Sequence, residues 1–305
     1  MTQRHANLVL VVIALIWGTT FTVVHQAVAN FPPLALIALR FGCAAVLLVP
    51  LVLRGGIRRH ELQVGVLLGG LLFLGFAMQT LGLQRTTPAR AGFITGLNVV
   101  LVPLFGVLWG QRPPLRAVLG VLVATVGLTV LTWGCAMPWL GCSVTTASTP
   151  QQQWGDLLVL GCAAAFALHI VAVSRYATTL PVMAVNTWQL IAAALLAGST
   201  AFATEWPVPL PSFGVLGAAL FLGLVATALV FALQLRVQRY TTATHTALIF
   251  ALEPVFAALF AWLWIGERLT GAVLLGGGIM LLGVVLAELP PLRRATSGAP
   301  AEASH

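Results

Sequence analysis

The sequence predicts an all-α integral membrane protein of ten transmembrane helices arranged as two inverted five-helix repeats. Composition, ten apolar runs and an internal match half a chain apart predict it. Of 305 residues, 59% are hydrophobic and 7% charged. A soluble domain carries about a quarter charged residues, so this chain has too little polar surface to cover a core in water. A spanning helix needs about 20 apolar residues. Ten such runs lie near 8–29, 33–53, 62–84, 88–110, 115–133, 155–174, 184–203, 213–235, 243–265 and 270–288. They are long and lack period-two alternation, which argues against barrel strands.

The net charge of +8 comes from fifteen arginines and no lysine. With a cytoplasmic N-terminus, eleven arginines fall inside (Arg4, Arg54, Arg58, Arg59, Arg112, Arg116, Arg175, Arg236, Arg239, Arg293 and Arg294). Three fall at the outer side: Arg85, Arg90 and Arg268. This bias places both termini in the cytoplasm and accounts for the charge without nucleic acid. Arg without Lys, with abundant Ala, Gly, Val and Leu, points to a GC-rich bacterial genome. Arg4, an apolar run and Ala27-Val28-Ala29 imitate a cleavable signal peptide. The run is longer than a signal core, and its removal would leave the repeat incomplete, so an uncleaved first helix is expected.

At an offset of about 155 residues, Phe76, Gln79 and Thr86-Thr87 match Phe231, Gln234 and Thr241-Thr242, and Trp109 matches Trp264. After one inserted residue, Gly110-Gln111-Arg112 matches Gly266-Glu267-Arg268, and Gly120 and Gly127 match Gly276 and Gly283. Pro32 through Arg40 matches Pro181 through Gln189. Five helices per half require the second half to enter the membrane inverted, with a site at the repeat interface. The halves are expected at 1–134 and 155–290, joined by a periplasmic loop at 135–154 and followed by a disordered cytoplasmic tail at 291–305. Cys135 and Cys142 flank that loop, where an oxidising periplasm permits a disulfide without requiring one. Cys43 and Cys162 read as packing residues. No cysteine spacing suits a metal, and no cofactor is implied.

Polar side chains inside the bilayer need a partner or a task. Glu253, the only acid deep in a predicted span, precedes Pro254, which strips a donor from the Phe250 carbonyl and can kink the helix. It reads as a site for substrate, proton or gate, or as an ion-pair partner of Arg40. Arg40 has three readings: structural pairing with Glu253, bidentate capture of a substrate carboxylate, or capping of nearby backbone carbonyls. Asn98 is the repeat partner of Glu253, so the halves differ chemically. Pro103 frees the Val99 carbonyl beside Asn98. Gln79 and Gln234 suit either a polar cavity or interhelical bonds. His169, mid-span, is a proton-carrier candidate or a bonded core histidine; His25 and His245 rank lower. Trp17, away from the interfacial belt, lines a cavity or packs, whereas Trp109, Trp206 and Trp264 read as interface anchors. Gly120/Gly127 and Gly276/Gly283, each two turns apart, permit close helix packing or dimerisation.

These residues resemble the EamA-type branch of the drug/metabolite transporter superfamily over about 8–288. The marks are Trp17-Gly18, Arg40 after a Pro-led second helix, the run from Thr86 to Leu97, Glu253-Pro254 and Gly266-Glu267-Arg268-Leu269-Thr270. The first-half turn departs from the pattern with Gln111. The resemblance implies a central cavity between halves, alternating access, and export or exchange of small metabolites, commonly amino acids and relatives, across the bacterial inner membrane. On that reading Glu253, Gln79, Gln234, Asn98, His169 and Trp17, with Arg40 behind them, form the cavity. The implied partners are a small-molecule substrate and membrane lipids, with protons as the candidate coupling ion, and the protein acts as a monomer or homodimer.

Enzyme readings lack their residues. A single Asp excludes a two-Asp protease, and the chain has no His-Glu-x-x-His, no Gly-x-Ser-x-Gly, no lysine for a Schiff base and no Walker loop. A lipid-modifying enzyme using Glu253 or a histidine is a remaining alternative. A lipid flippase of the same fold is another. A symmetric channel fits the unequal halves poorly.

Overall fold

The computed structural model describes residues 3–55, 58–110, 115–133, 135–137, 142–144, 148–176, 180–237 and 249–288. The helices follow the apolar runs, because a backbone in lipid must satisfy its own hydrogen bonds. They are α1 (Gln3–Val28), α2 (Pro33–Gly55), α3 (Arg59–Leu83), α4 (Pro88–Gly96), α5 (Asn98–Phe105), α6 (Leu115–Trp133), α7 (Pro150–Tyr176), α8 (Val182–Thr204), α9 (Phe213–Leu220), α10 (Val230–Val237), α11 (Glu253–Ile265) and α12 (Gly271–Glu288). Seven candidate spans are long and apolar enough to cross a membrane, and three shorter apolar helices lie at Leu115–Leu131, Glu253–Ile265 and Gly271–Ala287. Ten spans result, since α4 and α5 form one, and α9 and α10 are joined by a π-wound stretch, Phe221–Leu229. Large apolar side chains face outward, including Val46 (74% exposed), Leu115 (74%), Leu195 (68%) and Leu282 (65%); lipid is the environment that tolerates this surface.

The helix starts are chemically marked. Pro33, Pro88 and Pro150 open their helices, where a missing N–H costs nothing. Thr149 and Gln152 form a reciprocal capping box (Thr149 N to Gln152 Oε1 3.1 Å, Gln152 N to Thr149 Oγ1 3.2 Å). That box starts α7 ahead of residue 155, the expected end of the loop. The 135–154 connection also carries a short antiparallel hairpin, Cys135–Met137 against Cys142–Val144. The disulfide expectation lies outside the described side chains, as does the Trp109 anchor. Gln111, Arg112, His245, Thr241-Thr242 and the 291–305 tail lie outside the described residues.

The repeat-related helices meet about a common pseudo-two-fold axis. α6 packs on α12, α2 on α8, and α4 on α11. The glycines carry the first contact. A Cβ on Gly127 would lie 2.7 Å from the Gly276 oxygen, and one on Gly276 would lie 2.7 Å from the Gly127 oxygen. Gly120 and Gly283 face each other's carbonyls at 2.6 Å in the same way. Exchanging the halves maps one pair of contacts onto the other. The two-turn glycine spacing is therefore used within the chain, and dimerisation is not needed to explain it. Gly69 and Gly223 give a second matched pair. The former meets the backbone of Gln189 (2.5 Å to its oxygen), the latter that of Arg40 (2.6 Å), and Gln189 and Arg40 are themselves repeat partners.

The end of the bundle bearing Gln3 is called proximal here, the other distal. Two cavities, of about 350 and 250 Å³, open at the distal end. The larger is an apolar groove between α2 and α8 lined by Phe31, Ala35, Phe202 and Trp206; the smaller lies between α1 and α9. Neither contains the polar residues singled out by sequence. Trp206 and Trp264 are more than half exposed near helix ends at the distal side, as anchors would be.

Candidate functional site

The fourth and ninth spans are both broken, and their breaks are repeat-related. In the fourth, a turn at Leu97 separates α4 from α5, and Asn98 is the first residue of the new helix. In the ninth, Ala251 and Leu252 form a turn, and α11 begins at Glu253 with Pro254 in its first turn. The expected kink is thus a full break, placing Asn98 and Glu253 at equivalent half-helix starts in mid-bundle. The two breaks touch. A Cβ on Gly96 would lie 2.8 Å from Pro254 Cγ, and one on Gly92 would lie 2.5 Å from the Ala257 Cβ. Gly18 admits α1 to the same crossing, 2.5 Å from Phe256 Cβ. The Trp17-Gly18 and Glu253-Pro254 motifs therefore belong to one packing unit.

Around this crossing, polar groups from four spans come together. Gln79 Nε2 donates to Thr95 Oγ1 at 3.3 Å, joining α3 to α4. Cys162 of α7 lies beside Thr95 and within electrostatic reach of Glu253. Both Glu253 and Asn98 are half-buried. Glu253 has neither an ion pair nor a hydrogen bond among the described residues.

Arg40 does not pair with Glu253; this corrects the structural reading of both. The described residues hold two ion pairs, Arg58–Glu61 and Arg90–Asp156. Arg40, 3% exposed, donates from Nε to Thr227 Oγ1 at 2.9 Å. Its guanidinium carbon lies 4.3 Å from the Phe76 ring centroid, a cation–π contact. Phe76 in turn meets Phe41 and Phe166 edge-on at 5.1 and 5.0 Å. The reason is local: α2 packs on the π-wound stretch through Gly223, which presents Thr227 one turn on.

Trp17 packs and bonds. Its Nε1 donates to the Ala226 carbonyl at 3.1 Å, and its ring meets Phe231 and Phe250 at 5.8 and 5.2 Å. The Val230 amide bonds Thr227 and Val225 instead of Ala226, so the π winding leaves that carbonyl without its usual donor. π-wound turns recur at functional sites for this reason. His169 lies elsewhere, in the proximal half. Its Nε2 stands 3.0 Å from Gln189 Oε1, and Gln189 Nε2 donates to Asn186 Oδ1 at 2.6 Å. Gln189 Oε1 is then the acceptor and His169 Nε2 carries the proton. Asn186 Nδ2 and Trp188 Nε1 are buried without partners among the described residues. Gln234 lies on α10, with its side chain outside the described residues.

Sequence reasoning missed a fully satisfied ion pair at the distal end. Arg90, placed among loop charges, is 7% exposed. It donates from Nε to Asp156 Oδ1 (3.3 Å), from Nη1 to the Leu131 carbonyl (2.7 Å), and from Nη2 to Ser148 Oγ (3.0 Å) and Asp156 Oδ2. Thr86 Oγ1 donates to the same carboxylate at 2.6 Å. Arg90 and Asp156, each near a helix end, were both legible as charges, but their pairing across 66 residues was not. Two more distal acids cap helices of other spans. Glu205 accepts from Leu34 and Ala35 amides at the start of α2 (3.0 and 2.9 Å). Glu267 accepts from the Ala89 amide of α4 at 3.3 Å. Burial pushes the Glu267 carboxyl above its ordinary range, while Thr87, Ala89, His25 and Arg90 pull it back. His25 Nδ1 bonds the Leu83 carbonyl at 2.8 Å, closing α3.

Ten spans in two inverted halves, broken helices crossing at mid-depth and unpaired polar groups beside them define the class: a polytopic membrane protein built as inverted-repeat transporters are. The EamA-like transporter family model matches twice, at residues 5–133 and 153–289. The chain belongs to the EamA-like transporter family and is a multi-pass membrane transporter. It is 32% identical over 288 residues to an uncharacterized transporter of Archaeoglobus fulgidus, covering 94% of this chain and 87% of the relative. It is 26% identical to the uncharacterized transporter YyaM of Bacillus subtilis (94% and 95% covered) and 26% identical to the uncharacterized inner membrane transporter YedA of Escherichia coli K12 (90% and 88%). A solved crystal structure matches with a TM-score of 0.63 at 23% identity, covering 93% of this chain and 96% of that one. That likeness is one of fold.

Proposed function

We propose that the protein is a secondary carrier, not an enzyme, that exports or exchanges small metabolites, amino acids or related compounds, by alternating access. It does so across a bacterial inner membrane with both termini in the cytoplasm. The observation that carries this is Glu253: a carboxylate at a mid-bundle helix break, without a partner among the described residues, facing the break of the repeat-related span. An unpaired charge at that depth is costly unless substrate or a coupling proton uses it. The crossing built on Gly18, Gly92, Gly96 and Pro254 supports movement there, because small residues let the half-helices slide without collision. Asn98, Gln79, Gln234 and Trp17 belong to the same working region. His169 is tied to Gln189 and sits to one side, so its role is the positioning of α7 on α8 ahead of proton carriage.

The test is counterflow in proteoliposomes preloaded with unlabelled amino acids and related metabolites, with Glu253→Gln in parallel. Saturable exchange, lost or strongly reduced in the variant while its melting temperature holds, is the expected result. Exchange unaltered in Glu253→Gln would return Glu253 to a structural role. No exchange across the panel from folded protein would overturn the carrier reading.

A further inference from the structure

Among the described residues two arginines are buried, and they are treated in opposite ways. Every guanidinium nitrogen of Arg90 has a protein acceptor, and its charge is balanced by Asp156. Arg40 is the more buried of the two (3% against 7% exposed). It has one hydrogen bond, from Nε to an uncharged hydroxyl, and no carboxylate. Its Nη1 and Nη2 donate to none of the described residues, and neither is among the fully enclosed unpartnered atoms. Those two nitrogens therefore keep some accessible surface, although Arg40 lines neither of the two cavities. The acid that sequence offered as a partner, Glu253, pairs with no cation among the described residues.

A buried cation without a counter-charge is expensive, and Arg90 shows that this fold can neutralise one when the need is structural. Arg40 is instead held in place by contacts that leave its binding edge free. Thr227 takes Nε, the guanidinium carbon sits over the Phe76 ring, and Gly223 fixes the backbone of α2 beneath it. Bonding through Nε and contact with the ring orient the Nη edge. That paired-donor edge matches the two oxygens of a carboxylate. The equivalent position in the second half is Gln189, which is neutral and occupied by His169 and Asn186. The positive subsite thus exists once, in the distal half, about two turns in from Pro33.

We infer that Arg40 is the anion-binding subsite of the transport pathway, so that the carrier selects substrates bearing a carboxylate and discriminates against organic cations and neutral analogues of the same shape. This rests on the carrier reading above. Bound carboxylate completes the Arg40 guanidinium, and the ring of Phe76 packs against the part of the substrate next to it.

The test uses the full chain in proteoliposomes, with labelled L-leucine and L-phenylalanine as counterflow probes. Competitors are compared at equal concentration: each amino acid, its carboxamide, the amine lacking the carboxylate, and the carboxylic acid lacking the amine. Competition about tenfold or more stronger by the carboxylate-bearing members is expected, with the preference abolished in Arg40→Gln and partly retained in Arg40→Lys. A direct readout guards against a misfolded variant. The melting temperature of Arg40→Gln without substrate should equal or exceed that of the unmodified chain, and only the latter should be stabilised by added carboxylates. Equal competition by carboxamides and amines, or a carboxylate preference that survives Arg40→Gln, would overturn the subsite while leaving the carrier. So would a fall in the melting temperature of Arg40→Gln with no carboxylate-dependent stabilisation of the unmodified chain. Failure of every charge class to exchange through folded protein would remove the carrier reading and this inference with it.

Discussion

Asp156→Asn tests the electrostatic account of the distal end. In the folded protein the Asp156 carboxylate accepts from Arg90 Nε and Nη2 and from Thr86 Oγ1, and both charged residues are at least nine-tenths buried. The asparagine keeps the shape and one acceptor but removes the counter-charge. It leaves a guanidinium in a low-dielectric pocket with only neutral acceptors: the amide oxygen of the new side chain, the Leu131 carbonyl and Ser148 Oγ. Breaking such a pair costs about 3–5 kcal/mol, which corresponds to a fall of roughly 5–8 °C in melting temperature for a chain of this size. The cost falls on the joint between the two halves, since Arg90 and Leu131 come from the first and Asp156 from the second. The assay is thermal unfolding in detergent, followed by tryptophan fluorescence, of Asp156→Asn, Arg90→Met and the double variant Arg90→Met/Asp156→Leu. The double variant should be distinctly more stable than either single one, because removing both charges removes the uncompensated one. A single variant within about 2 °C of the unmodified protein, or a double variant whose loss equals the sum of the singles, would refute the reasoning.

Gly127→Leu and its repeat mate Gly283→Leu should destabilise by similar amounts, about 1–3 kcal/mol or more, because each side chain would enter the backbone of the facing helix. Unequal losses in a melting experiment would count against the two-fold arrangement of α6 and α12. Glu267 gives a pH signature. Its folded carboxyl sits above its ordinary range, so the folded state holds the proton more tightly than the unfolded chain. Its contribution to stability is therefore greatest at low pH and is lost as pH rises from the ordinary carboxylate range through the raised folded value. The melting temperature of the unmodified protein should fall relative to Glu267→Gln over that interval; a difference that is flat or rises with pH would contradict the assignment.

Much of the fold was legible because lipid imposes one strong constraint on sequence: long apolar runs must be helices. The starts of α2, α4 and α6 coincide with expectation at Pro33, Pro88 and Leu115. The glycine pairs of α6 and α12 announced their packing through spacing alone. The break at Glu253-Pro254 was visible as a kink because Pro lacks a donor, but its partner break at Leu97 was not. Nothing at Leu97 forbids a helix; the crossing of Pro254 against Gly96 coincides with it. The π winding at 221–229 was hidden for the same reason, and with it the roles of Thr227 and Ala226. A lone Thr in an apolar run was the one available signal.

The site divides along the same line. Polar residues at depth named themselves, since each is costly in lipid: Glu253, Asn98, Gln79, His169, Trp17 and Arg40 were all found by that rule. Their partners could not be found, because pairing depends on which spans are neighbours, and that is set by packing over the whole bundle. Sequence suggested Arg40 with Glu253 as the only buried opposite charges in view. The packing of α2 on the π-wound stretch turned Arg40 to Thr227 and Phe76, and the packing of α4 against α7 brought Arg90 to Asp156. Hydrophobicity, a one-dimensional property, determined the class and the ten helices, and the matched polar and glycine positions half a chain apart determined the duplication. Only the tertiary structure decided which charges are neutralised and which are left open, because a counter-charge acts through distance in space.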